Sequence, residues 1–200
     1  MSQQLVIAYI LFASAAAFTP GPNNVMLMTS GLNYGFQRSL AHLAGVTIGY
    51  SVMLGLVGLG LGAVFTAYPI LQTILKYVGA VYLTWLAYVI ATSKPADAQS
   101  AAEGKPMTFT GAALFQLVNV KGWVIAVGSV SAYAAIASYP WNMIVLAAIV
   151  CIITLGSSLT WLLFGTALQS LVKSPRAIRI FNITMAVLLL ASLYPVLVEP

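Results

Sequence analysis

Negative charge is almost missing from this 200-residue chain. Its acidic residues are Asp97, Glu103 and Glu199, against eight lysines and arginines, and only 6% of residues are charged. Soluble domains carry about a quarter, so a water-soluble fold of this size could not cover its surface. The single histidine and single cysteine, with no carboxylate deep in an apolar run, exclude a usual metal site and a disulfide framework. Paired carboxylates, a nucleophile elbow and a phosphate loop are also lacking, so neither enzyme chemistry nor a cofactor is expected. The net charge of +5 comes from dispersed basic residues, which form no stripe for nucleic acid.

What is there is hydrophobicity: 61% of the chain, continuous over helical lengths. A membrane β-barrel would instead alternate over segments of about ten residues. The expected class is an all-α membrane protein embedded in a lipid bilayer. MSQQLVIAYI lacks a basic n-region and reads as a retained span, not a leader.

Six spans are expected, over about 5–32, 39–65, 70–91, 107–134, 141–168 and 178–198. The segment 93–106 is the only linker, dividing a first three-helix half (1–92) from a second (107–200). Arg38, then Lys94 and Lys105, then Lys173, Arg176 and Arg179 fall at three alternate loops, whereas the other side has only Lys76. Positive-inside bias puts those three loops in the cytoplasm and both termini outside. An odd number of spans per half makes the two halves inverted copies, as in many secondary transporters. Gly45 and Gly49 in span 2, and Gly31 and Gly35, follow the spacing of helix-packing stripes.

Polar residues at membrane depth suggest a site. Leu5 to Phe36 carries no charge and as one helix would be about 48 Å long, against about 30 Å of hydrocarbon. In its middle stands Thr19-Pro20-Gly21-Pro22-Asn23-Asn24. Pro20 and Pro22 are expected to break the helix, with Asn23 and Asn24 capping the second half. Such an end favours an anion. In span 4, Lys121 is the one charge deep in a span, with Gln116 and Asn119 at the same depth. An intramembrane lysine marks function by default. His42 is either structural or a proton relay.

With FTPGPNN in span 1 and FQLVNVKG in span 4, the chain resembles the LysE/RhtB family of amino-acid exporters, and within it the branch exporting cysteine and O-acetylserine. The family's signatures are Pro-Gly-Pro-Asn with spaced glycines, here Pro20 to Asn23 with Gly31, Gly35, Gly45 and Gly49, and Asn-Pro-Lys, here Asn119 and Lys121. Ser39 stands where a further glycine is usual, Val120 where span 4 usually has its proline, and Tyr50 where many members carry an aspartate. The resemblance implies proton-driven efflux of small neutral amino acids across the bacterial inner membrane.

On this reading, substrate carboxylate meets Asn23 and Asn24 with Lys121 nearby. Its ammonium meets freed carbonyls around Thr19 to Gly21 and the amides of Gln116 or Asn119. Lys121 and His42 are the proton-coupling candidates, with Lys121 charged while it holds substrate and neutral on the return. Efflux of another small solute, a channel, or a non-transporting membrane subunit are the alternatives, and a homo-oligomer is left open.

Overall fold

A computed structural model of the chain describes residues 2–93, 105–172 and 174–194. The described residues contain helices and no strand. In order they are α1 (Gln3–Phe18), α2 (Pro22–Arg38), α3 (Leu40–Leu56), α4 (Gly62–Ala67), α5 (Ile70–Thr92), α6 (Phe109–Phe115), α7 (Val120–Tyr133), α8 (Trp141–Leu171) and α9 (Pro175–Ala191). A π turn, Val57–Leu61, joins α3 to α4, and a 3₁₀ turn, Gln116–Val118, extends α6.

Three stretches are individually long and apolar enough to cross a membrane: Leu40–Leu61, Thr73–Thr92 and Trp141–Gln169. Two more qualify only as bent pairs. Gln3–Phe18 and Pro22–Arg38 meet at 55°, and Phe109–Val118 and Val120–Ile136 at 70°. The expected sixth span is represented by α9, which packs on α5 and α2; its expected end beyond residue 194 lies outside the described residues, as does most of the linker 93–106. The chain is an all-α, multi-pass membrane protein.

Helix pairing follows an exchange of spans 1, 2 and 3 with 4, 5 and 6. Span 1 lies on span 5, and span 4 on span 2; spans 2 and 5 pack on each other, as do spans 3 and 6. The two ends of the bundle are closed differently. At one end α2 is held on α8, and α3 on α6, backbone to backbone. A Cβ on Gly31 would collide with the Leu162 carbonyl and come within 2.8 Å of the Thr166 nitrogen, both on α8. One on Gly45 would strike the Phe109 carbonyl, and one on Gly49 would lie 2.6 Å from the Ala113 Cα. Only glycine permits such approach between membrane helices. Asn33 and Asn182 exchange amide hydrogen bonds at 3.0 and 3.3 Å and tie α2 to α9.

Gly35 belongs to a different device. Its φ of +77° and ψ of 175° put a non-helical residue inside α2, a backbone state that favours glycine. A Cβ there would meet nothing nearer than the Gln169 Oε1 at 3.4 Å. Its expected role in close helix packing is corrected to that of a kink.

At the opposite end α1 and α7 meet through rings. Tyr9 lies 5.1 Å and Phe12 5.6 Å from Tyr133, centroid to centroid. Backbone clamps thus hold one end, while aromatic side chains, which can turn about their χ angles, hold the other.

Candidate functional site

Thr19 takes extended backbone (φ −63°, ψ 129°), as the residue before a proline must. Pro22 then opens α2 at a position where its missing N–H costs nothing. The break leaves the last carbonyls of α1 without helical partners, and side chains from three directions take them up. Ala17 O accepts from Asn24 Nδ2 at 2.9 Å and from Ser157 Oγ at 2.8 Å. Thr19 O accepts from Asn24 Nδ2 at 3.0 Å and from Lys121 Nζ at 2.8 Å, and Pro20 O accepts from Lys121 Nζ at 3.4 Å. An ammonium against a helix C-terminus is also favoured by the helix dipole.

The asparagines therefore do not cap α2. Its N-cap residue is Gly21, with no side-chain cap; Asn24 donates backwards onto α1. Asn23 reaches across to the other broken span, where its Nδ2 donates to Gln116 Oε1 at 2.9 Å and its Oδ1 accepts from Gln116 Nε2 at 3.1 Å. Gln116, wholly buried, also donates to Ala112 O at 2.9 Å. The carbonyls expected to hold a substrate ammonium are occupied by Lys121 and Asn24 themselves.

Span 4 breaks without a proline, and more sharply than span 1. Asn119 leaves the helix (φ −83°, ψ 93°) and its Oδ1 accepts from Gly122 N, so it caps α7. The Trp123 indole N–H donates to Leu117 O at 2.8 Å and takes up a carbonyl the break frees. Val120 is compatible because it begins α7 instead of blocking α6.

The two breaks cross. A Cβ on Gly21 would come within 3.0 Å of Lys121 Cδ and Nζ, so Gly21 makes room for the lysine stem. On one side of this crossing is a cavity of about 60 Å³, several times the space one water needs. Its walls include Asn23, Asn24, Asn119, Lys121, Tyr50 and Thr154. The starts of α2 and α7 both border it, so two helix N-termini, with their positive dipole ends, lie near one ammonium. On the other side is an apolar cavity of about 390 Å³, walled by Gly79, Ala80, Leu83, Val124 and Leu193, with Lys121 and Pro20 to Pro22 between the two.

His42 lies elsewhere. It is 1% exposed, its Nδ1 shares a 2.9 Å hydrogen bond with Ser30 Oγ, and it lines neither cavity. The geometry thus brings Pro20 to Asn24, Gln116, Asn119 and Lys121 to one place and leaves His42 apart. Sequence reasoning noted Tyr50 only as standing where an aspartate is usual, and passed over Thr154. Thr154, Ser157 and Ser158 share a face of α8 at i, i+3 and i+4, a polar stripe in an otherwise apolar helix that could have marked this wall. Among the described residues no cluster of histidine, cysteine or acidic side chains could hold a metal.

The family model described as LysE type translocator matches residues 14–192. The cysteine/O-acetylserine efflux protein of Escherichia coli (strain K12) is 30% identical over 191 residues, covering 94% of this chain and 95% of that protein. The protein of the same name from Salmonella typhimurium (strain LT2) is 30% identical over 194 residues, 94% of this chain and 95% of its own. That of Klebsiella pneumoniae is 29% identical over 172 residues, 86% and 87% of the two chains. No solved structure matches the chain significantly.

Proposed function

Because the chain belongs to the LysE type translocator family, a family of membrane transporters and not of enzymes, we propose that it exports small neutral amino acids, of the cysteine or O-acetylserine kind, from the bacterial cytoplasm by exchange for protons. The observation that carries this reading is the lysine of one broken span held on the freed carbonyls of the other, at the wall of the smaller cavity. A zwitterion needs an anion partner and a cation partner. The N–H groups opening α2 and α7 serve its carboxylate. The Thr19 and Pro20 carbonyls serve its ammonium, in competition with Lys121.

That competition supplies a coupling rule. Protonated Lys121 occupies Thr19 O and Pro20 O, whereas neutral Lys121 leaves them to the substrate ammonium. Proton and substrate then bind in turn, as antiport requires. This reverses the order expected from the sequence: a lysine charged while it carries substrate would move its proton in the same direction as the substrate. Lack of a carboxylate among the described residues near the cavity favours neutral over basic substrates. With the basic loops cytoplasmic and both termini outside, the glycine-clamped end faces the cytoplasm and the ring-closed end faces outward.

A second reading, efflux of an apolar amine, is favoured by the larger apolar cavity on the other side of Lys121. Uptake into inside-out vesicles, with and without a pH gradient, across the twenty amino acids, O-acetylserine and labelled amines, tests both. Saturable, gradient-stimulated uptake of small neutral amino acids is expected, with none of lysine. Uptake of amines alone supports the second reading, and uptake of neither class overturns both.

A further inference from the structure

Two residues lining the smaller cavity carry buried hydroxyls with no protein partner among the described residues. Tyr50 on α3 and Thr154 on α8 both line it, each 8% exposed, and Tyr50 Oη and Thr154 Oγ1 are buried without a hydrogen bond. A buried hydroxyl left unpaired is costly, and native structures rarely tolerate one. Two from different helices on the walls of one cavity indicate a place where something polar binds. Of the other polar groups of that wall, five are engaged. Asn24, Asn119, Ser157 and Lys121 hold the broken backbones, and Asn23 holds Gln116.

We propose that Tyr50 and Thr154 form the subsite for the substrate's side chain, recognising a small side chain that carries a hydroxyl, thiol or ester oxygen. This rests on the proposed amino-acid export, in which the backbone ends at the crossing receive the common carboxylate and ammonium. Hydroxyls suit the task because each can donate or accept, so one subsite serves an alcohol, a weakly donating thiol and an acyl oxygen alike. Selectivity arises because an apolar side chain of equal size leaves both hydroxyls unpaired. Ala13, Ala16 and Ala17 on α1 form the facing wall; their small side chains leave space for the ligand and offer it no hydrogen bond.

The test compares serine with 2-aminobutyrate, which differ by a hydroxyl for a methyl, as competitors of labelled O-acetylserine binding to the full-length protein in detergent. Wild type should prefer serine by about five- to tenfold, the scale of one neutral hydrogen bond. Tyr50→Phe and Thr154→Val, each removing one oxygen with little change of volume, should each lower that ratio, and the double variant should bring it close to one. Thr154→Ser should retain it, which separates loss of the hydroxyl from loss of fold. A wild-type ratio near one, or variants that keep the wild-type ratio, overturns the subsite while leaving amino-acid export intact. A wild type that binds no amino acid overturns the export reading and the subsite together.

Discussion

The Asn23–Gln116 pair links the two broken spans side chain to side chain, beside the Lys121 contact with the α1 carbonyls, and its strength can be worked out. It consists of two neutral hydrogen bonds at 2.9 and 3.1 Å. Such bonds contribute about 1 kcal/mol each in proteins, and interhelical ones in membranes average about 0.6, so their coupling should be about 1 to 2 kcal/mol. Gln116→Met strands both amide groups of Asn23, which borders the cavity where water can reach it; a cost of about 1 to 2 kcal/mol is expected. Asn23→Leu costs less, because Gln116 retains its bonds to Ala112 O and to Asn119 Nδ2. The double variant, with neither amide, should be close to the worse single variant. Reversible unfolding in dodecylmaltoside–SDS micelles, followed by fluorescence of the four tryptophans, measures the cycle. Single-variant costs that add to within about 0.5 kcal/mol would show that the amides do not join the spans.

Other perturbations separate the devices of the fold. Gly45→Leu should abolish folded protein, since its Cβ already meets the Phe109 backbone, whereas Gly55→Ala, with open space around it, should be neutral or stabilise by up to about 1 kcal/mol in the same micelle assay. Gly35→Ala should cost about 1 to 2 kcal/mol for forcing a side chain onto positive φ; a silent change would refute a structural need for that kink. On a Cys151→Ser background, Ser138→Cys should react with an impermeant maleimide in intact cells and Lys105→Cys only after permeabilisation, the opposite pattern reversing the orientation. His42→Gln should keep pH-gradient stimulation of transport, because His42 lines neither cavity; loss of stimulation in folded protein would make it the proton carrier.

The first break was legible because Pro20 and Pro22 remove N–H groups wherever they stand. The second was not. It depends on an asparagine cap and on an indole six residues away that takes up Leu117 O, neither of which resembles a helix breaker in a string of letters. The spacing Asn119-x-x-Gly122 was the available signal. At the first break the same residue type misled: Asn24 sits where a cap could form, but the α1 carbonyls at 2.9 and 3.0 Å compete for its amide. A Cβ on Gly31, Gly45 or Gly49 would meet the backbone of a neighbouring helix, as spaced glycines suggest, yet periodicity carries no information on the sign of φ at Gly35. Tyr50 and Thr154 were not read as candidate site residues because a neutral hydroxyl in an apolar helix is ordinary until its lack of a partner is seen.

The most direct test of the account is counterflow and pH-gradient-driven transport of O-acetylserine in proteoliposomes, wild type against Lys121→Gln. The account predicts that Lys121→Gln, if it folds, loses the response to the gradient, because no group that gains and loses a proton then competes with substrate for Thr19 O and Pro20 O. Full gradient-driven transport by Lys121→Gln would contradict it.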